Sequence, residues 1–122
     1  MSTNRVKPLI GIVGVCASGK TSCIARLTAM GHHCRHIAQE HSYVQTMWKQ
    51  LTDPDLLVYL EVSYQQTLIR RNLNWTEAEY NEQLNRLENA RKNADIRINT
   101  DELSVNEICE IINKKIGEFF SR

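Results

Sequence analysis

Residues 14–21 read Gly14-Val15-Cys16-Ala17-Ser18-Gly19-Lys20-Thr21 and fit the phosphate-binding loop pattern G-x-x-x-x-G-K-[ST] in full. The two glycines allow backbone angles that a Cβ would forbid, so that successive N–H groups can turn toward a phosphate. Lys20 brings an ammonium to the β and γ phosphates, and the Thr21 hydroxyl is the expected Mg²⁺ ligand. The stretch therefore predicts a site for ATP and Mg²⁺. The residues expected to contact the nucleotide there are Gly14, Val15, Cys16, Ala17, Ser18, Gly19, Lys20, Thr21 and Ser22.

The segments on either side of this loop have the patterns of a strand and a helix. Residues 9–13 are an apolar run, which is typical of a parallel strand buried on both faces. Residues 22–30 place Ile24 and Leu27 at helical spacing, and Gly31 then ends the helix. The alternative is a glycine-rich turn that binds nothing. The flanks argue against it, because strand, loop and helix follow in the order that a phosphate site at a helix N-terminus requires.

The rest of the chain alternates between strand and helix patterns. Three more segments are predicted to be strands: residues 33–38, 56–62 and 96–99. Four segments have helical spacing, and each opens with a capping-box pattern: residues 42–51, 63–73, 76–94 and 104–119. The predicted apolar face of the first of these helices consists of Val44, Met47, Trp48 and Leu51. This alternation predicts the α/β class, with a minimal parallel sheet of about four strands and helices on both faces. The loop is expected beyond the carboxyl ends of the strands, where the chain changes direction across the sheet.

Length and composition fit one domain over residues 1–122, of which 42% are hydrophobic. The net charge of +1 gives no electrostatic reason to expect nucleic acid or an anionic membrane as a partner. No apolar segment is long enough to span a bilayer, and the strand and loop explain the run at 9–17 better than a signal peptide does. The four cysteines form no C-x-x-C pair, so we expect reduced thiols and a cytoplasmic protein.

Two blocks of the sequence resemble the small P-loop kinases, the group of dephospho-coenzyme A kinase, adenylate kinase and shikimate kinase. The first block, residues 9–30, is the loop with its strand and helix, and it is the more specific of the two. The second block, residues 55–116, contains DLLVYLEVS, an arginine-containing helix and then ARKNADIRINTDELSVNEICEII. The resemblance implies a three-layer P-loop NTPase fold and an Mg-ATP-dependent phosphotransferase that acts on a small metabolite or nucleotide.

The resemblance also implies roles for residues outside the loop. In the family, the segment before the last helix lies against the nucleotide base, which makes Asn99, Thr100 and Asp101 candidates for that contact. Residues 68–91 are similar to the family's lid, which supplies arginines to the phosphates and the base. The arginines expected to act with Lys20 in catalysis are Arg70, Arg71 and Arg91. A place at a helix end or on a charged helix surface would also explain them, and Arg86 with them.

The chain departs from these kinases between its second and third predicted strands. Family members insert a helix and a further strand there to hold the acceptor, whereas residues 39–55 suffice for one short helix. A second function therefore stays open: a nucleotide-binding regulatory or partner-dependent module with little or no turnover. A GTPase switch is disfavoured because the D-x-x-G and N-K-x-D motifs are absent. Pairing of the polar edge strand into a homodimer also stays open.

Phosphoryl transfer also needs a carboxylate near the metal or the attacking oxygen. Glu40 follows the second predicted strand and is the candidate, against the alternative of a solvated loop carboxylate. His32, Cys34 and His36 would share one face of that strand, but no ligand pair has a recognised zinc spacing, which favours a strand edge without metal. His36 and His41 are further candidates for contact with an acceptor.

Overall fold

Four parallel strands form a single sheet in the computed structural model, which describes residues 7–70 and 74–121. The strands are β1 (Leu9–Gly14), β2 (His33–His36), β3 (Leu56–Glu61) and β4 (Ile96–Asn99). Their order across the sheet is β2-β1-β3-β4, and each adjacent pair is parallel. The predicted α/β class and four-stranded parallel sheet are confirmed. β2 ends at His36, two residues before the end expected from the sequence.

Helices cover both faces of this sheet. The α-helices of the described part are α1 (Lys20–Ala29), α2 (Tyr64–Arg70), α3 (Glu77–Arg86), α4 (Glu88–Asn93) and α5 (Val105–Phe120). On one face, buried residues of α1 and α5 pack against alternate residues of β1, β3 and β4. On the other face, α3 and α4 pack with Trp48 against Val13, Leu57 and Tyr59. The arrangement therefore has three layers, as predicted. No helix in residues 7–70 and 74–121 combines the length and the apolar character that crossing a bilayer requires.

β1 and β3 are buried along nearly their whole length because they occupy the middle of the sheet. All six residues of β1 and the first five of β3 are buried. Both strands are continuous apolar runs, since a strand covered on both faces has no solvent side for polar residues. β2, by contrast, is polar and largely exposed, and its register is with β1 alone.

The carboxyl end of β1 lies where the chain changes direction across the sheet. β1 pairs with β2 on one side and with β3 on the other, and β4 then lies beyond β3. Where the strand order of a parallel sheet reverses in this way, a crevice forms beyond the carboxyl ends of the strands. The loop of residues 15–19 leaves β1 at this point, where the sequence predicts it.

Two of the predicted capping boxes begin helices as expected. At α3, Thr76 Oγ1 accepts from the Glu79 backbone N–H (3.2 Å), and Glu79 Oε1 accepts from the Thr76 N–H (2.8 Å). At α5, Ser104 and Glu107 make the same reciprocal pair at 3.1 and 2.8 Å. Each box satisfies two N–H groups that a helix start leaves without partners.

The helix predicted for residues 42–51 is wrong. The structure has a 3₁₀ turn (Gln39–His41) and a single π-helical turn (Trp48–Thr52) in this interval. The reason lies in Gln39, which is fully buried: its Nε2 donates to Val44 O (2.8 Å) and its Oε1 accepts from the Trp48 N–H (2.9 Å). These bonds hold the backbone in a loop. Trp48 is buried as the apolar face requires, but Val44 and Leu51 are 52% and 76% exposed.

Two further helices differ from their predicted lengths. The helix predicted over residues 76–94 is two helices that meet at Leu87, which is fully buried and forms the C-cap of α3 and the N-cap of α4. The helix predicted over residues 63–73 runs from Tyr64 to Arg70 in the described part. Its last predicted turn lies outside the described residues.

Gly117 offers a direct test of helix α5. It is exposed within the helix, and a Cβ added there would meet no heavy atom within 4 Å. We expect Gly117→Ala to raise the free energy of unfolding by about 0.5–1 kcal/mol, because alanine loses less backbone entropy than glycine in a helix. Urea denaturation measures this. Gly11→Ala is the control, since its Cβ would lie 2.6 Å from Ile37 Cδ1 and should destabilise. A destabilised Gly117→Ala protein would contradict the helix.

Candidate functional site

The loop between β1 and α1 has two residues in the left-handed backbone region. Ala17 has φ 68° and Gly19, which precedes the first residue of α1, has φ 101°. A left-handed backbone at Ala17 costs about 1–2 kcal/mol, which the surrounding contacts must offset. The Ser18 N–H donates to Val15 O (3.2 Å), which closes the turn. The loop is therefore tightly curled at the N-terminus of α1, where helix amides attract anions.

Gly14 is required for a different reason from the one that the sequence suggests. Its φ is not in the left-handed region. A Cβ at this position would lie 2.6 Å from Ser18 Oγ and 2.7 Å from the backbone oxygen of Leu60. The glycine thus lets the loop return closely over the end of β3.

Lys20 is the first residue of α1, and its ammonium lies beneath the loop. Nζ donates to Gly14 O (2.6 Å) and to Val15 O (3.2 Å), and it forms an ion pair with Glu40 Oε2 at 3.0 Å. The side chain is only 7% exposed. Because an ammonium has three N–H donors, these contacts occupy all of them.

Glu40 lies in the 3₁₀ turn after β2 and is 3% exposed. The alternative of a solvated loop carboxylate is therefore wrong. Because β2 pairs with β1, the turn after β2 places Glu40 beside Lys20, and both side chains are buried. Glu40 Oε1 is buried and has no hydrogen-bond partner. A buried carboxylate oxygen without a partner costs free energy.

Two histidines stand beside this carboxylate. His41 Nε2 lies 3.7 Å and His36 Nε2 lies 4.0 Å from Glu40 Oε2. Burial, together with the charge of Lys20, lowers the pKa of His36 from its ordinary value. The lowered pKa favours the uncharged imidazole of His36.

These groups line a cavity of about 710 Å³. The loop and the start of α1 contribute residues 16–22, and Arg70 closes another side. A further wall, which the sequence-based predictions do not include, is formed by Leu103, Ser104, Val105 and Ile108. The capping box at Ser104 could have indicated this wall, since it places the start of α5 just after the carboxyl end of β4.

Of the predicted arginines, Arg70 lies beside the loop. Its Nη1 donates to Thr100 Oγ1 (2.9 Å) and to Ala17 O (3.3 Å), and Nη2 donates to Thr100 O. Thr100 is fully buried, and its hydroxyl donates to Glu61 O (2.8 Å). Arg70 therefore joins α2, the loop and the end of β4. Arg71 lies outside the described residues.

Arg91, Asn99 and Asp101 line a different cavity, of about 410 Å³. Arg91 Nη2 lies 3.6 Å from Glu61 Oε2, and Asp101 Oδ1 accepts from the Ser63 N–H (2.8 Å). The structure thus brings Thr100 to Arg70 but does not bring these three residues to the loop cavity. Arg86 does not line the loop cavity: it lies 4.4 Å from the centre of the Tyr43 ring, and its Nη1 donates to Glu40 O (3.4 Å).

Gln83 holds the loop from the other layer, and no sequence motif points to it. Its Oε1 accepts from the Cys16 N–H (3.0 Å), and its Nε2 donates to Cys16 Sγ (3.2 Å). The side chain is 8% exposed. Helix α3 therefore fixes the position of Cys16 at the edge of the loop cavity.

The site combines a left-handed loop, a buried ammonium, a buried carboxylate and a guanidinium around one cavity. Such a set can bind a polyanion and can accept a proton from a hydroxyl group. Comparison of the chain with protein-family models finds no match, and comparison with curated proteins finds none. What the site binds is therefore argued below from its own residues.

Proposed function

We propose that the loop cavity binds ATP with Mg²⁺ on a P-loop NTPase fold, and that the protein is a phosphotransferase for a small metabolite or nucleotide. One observation carries the proposal: the Lys20 ammonium is buried beneath a left-handed loop at a helix N-terminus, opposite a buried carboxylate. An anion site and a charged pair therefore lie together beyond the carboxyl ends of the strands, where α/β proteins bind ligands.

The residues that line the cavity fit a nucleoside triphosphate. The cavity, at about 710 Å³, lies within the range of small-molecule and cofactor sites. Thr21 and Ser22 are exposed in the first turn of α1 and line the cavity, so that the Thr21 hydroxyl can hold Mg²⁺. When bound, Mg²⁺ neutralises the phosphate charge. Gly14 keeps the loop close to β3, and Gly19 allows its left-handed turn into α1.

Lys20 and Glu40 have complementary tasks in this proposal. Lys20 is held by two carbonyls and by Glu40, and phosphate oxygens would compete with Glu40 for its N–H groups. Glu40 Oε1, which has no partner, can accept the proton of an acceptor hydroxyl. Arg70 adds a second cation at the cavity wall, next to the Ala17 carbonyl.

A second candidate is a nucleotide-binding module with little or no turnover. It is favoured by the interval between β2 and β3, in which the structure has only the 3₁₀ turn and the π-helical turn. Gln39 and Trp48 anchor this interval to the sheet layer. No separate acceptor-binding unit is therefore formed by these residues.

Paired arginine variants test the site. We expect Arg70→Ala to weaken ATP binding about tenfold, the effect of losing one charged hydrogen-bond donor, and Arg91→Ala to leave it unchanged. Arg91 is the matched control because it lines the other cavity. Calorimetric titration with Mg-ATP measures both. A protein that binds no ATP, or an Arg91→Ala loss equal to that of Arg70→Ala, would overturn the proposed site.

Turnover separates the two candidate functions. The protein is incubated with Mg-ATP and a panel of nucleotides, coenzyme A precursors and small hydroxyl metabolites, and ADP release is followed. Release stimulated by one acceptor supports the phosphotransferase. ATP binding with no stimulated release across the panel supports the binding module instead.

A further inference from the structure

Three groups with different donor atoms meet at the mouth of the loop. The Cys16 thiol, a Glu40 carboxylate oxygen and an imidazole nitrogen of His41 all lie within 4.8 Å of one another. Cys16 comes from the loop after β1, and the other two come from the turn after β2. The adjacent parallel strands therefore bring them together, and a spacing in the sequence could not indicate it.

A second observation points to a ligand at this cluster. Glu40 is 3% exposed and its Oε1 has no hydrogen-bond partner, while Oε2 is occupied by Lys20. Oε1 is therefore available to a cation, and Oε2, which pairs with Lys20, also lies 3.7 Å from His41 Nε2. His41, at 59% exposed, is open to solvent and can reorient toward Oε1.

We propose that Cys16, Glu40 and His41 bind a divalent transition metal of the zinc class. Sulfur, nitrogen and oxygen donors together suit zinc-type ions, whereas Mg²⁺ prefers oxygen ligands alone. Tetrahedral ligands of zinc lie roughly 3.5 Å apart, so that small side-chain rotations close the observed spacing. His36, whose Nε2 lies 4.0 Å from Glu40 Oε2, is a further donor that could take the fourth position.

The side chain of Gln83 hydrogen-bonds to Cys16, the proposed sulfur ligand. Gln83 Nε2 donates to Cys16 Sγ (3.2 Å), and its Oε1 fixes the Cys16 backbone. A hydrogen bond of this kind stabilises negative charge on sulfur and orients a ligand from outside the coordination sphere. The site uses different residues from the Mg²⁺ position proposed at Thr21. Its occupation would place a metal in the loop cavity beside Lys20 and would take up the Glu40 oxygen proposed as the proton acceptor.

Cobalt titration tests the site without nucleotide. The protein is titrated with Co²⁺, and the near-ultraviolet absorption of a thiolate–cobalt bond is followed; Zn²⁺ affinity is measured by calorimetry. We expect one ion per chain. Cys16→Ser should abolish the absorption, and His41→Ala and Glu40→Gln should each weaken Zn²⁺ at least about tenfold, as losing a ligand does. The matched controls are Cys34→Ser and His33→Ala on β2, which should bind as the parent does. Circular dichroism checks the fold of each variant.

Two outcomes would overturn the proposal: no thiolate–cobalt absorption, or an absorption that persists in Cys16→Ser. Lys20→Met keeps this test independent of the proposed function. It removes a cation 3.0 Å from Glu40, so Zn²⁺ should bind at least as tightly, although ATP should not bind. Weaker Zn²⁺ binding in a folded Lys20→Met protein would also contradict the site.

Discussion

Lys20→Met is expected to lower the free energy of unfolding by about 3 kcal/mol, because it leaves one member of a buried ion pair without its partner. Glu40 is 3% exposed, and in this variant it would have no cation at 3.0 Å. The carbonyls of Gly14 and Val15 would also lose their donor. ATP affinity should fall at least about 100-fold, since an ammonium makes charged hydrogen bonds to phosphate. Urea denaturation and calorimetric titration measure the two effects.

Two further variants separate folding from binding. Lys20→Met/Glu40→Gln removes both charges, so it should recover most of the lost stability while ATP still fails to bind. Lys92→Met is the surface control. Lys92 pairs with Glu88 at 3.7 Å with both side chains more than half exposed, and its loss should cost less than about 0.5 kcal/mol. If Lys20→Met were no less stable than Lys92→Met, the buried pair would not exist in solution.

The sequence predicts most of the fold because its central elements are specified locally. β1 and β3 are apolar throughout, since both of their faces are covered. Ser104 and Thr76 begin helices through contacts with residues three positions later, which a sequence pattern contains in full. The same kind of pattern fails at Ser42. There the decisive contacts come from Gln39, whose side chain organises the backbone of the following nine residues.

The candidate site is less predictable because its contacts join distant elements. Lys20 follows from the loop motif, but burial of Glu40 depends on the register of β2 beside β1. No sequence pattern distinguishes Arg70 from Arg91 as a phosphate contact, yet the two arginines line different cavities in the fold. Gln83 contacts Cys16 across 67 positions, a distance that no local pattern spans.

Glu40→Gln is expected to separate ATP binding from phosphoryl transfer. The substitution keeps the shape of the side chain but removes a negative charge that lies 3.0 Å from the Lys20 ammonium. Lys20 is then free to contact phosphate, and repulsion between the carboxylate and the phosphates disappears. We expect ATP to bind about tenfold more tightly, the scale of one charge–charge interaction at a partly buried site. Acceptor-stimulated ADP release should fall at least about 100-fold, because an amide cannot accept the hydroxyl proton. Calorimetry and steady-state kinetics measure the two changes.

ATP affinity should rise while turnover falls, and this combination is specific to the proposed role of Glu40 as proton acceptor. If Glu40 only stabilised the fold, Glu40→Gln would lower both ATP affinity and turnover, because Lys20 and the loop would lose a contact that holds them in place. Glu88→Gln is the matched control, because that carboxylate pairs with Lys92, both side chains are more than half exposed, and Glu88 lines the other cavity, so it should change neither quantity. If ATP binds more tightly in Glu40→Gln but the parent protein shows no acceptor-stimulated release, the carboxylate holds Lys20 away from nucleotide in a binding module. If Glu40→Gln instead weakens ATP binding, Glu40 supports the loop and does not compete with phosphate for Lys20.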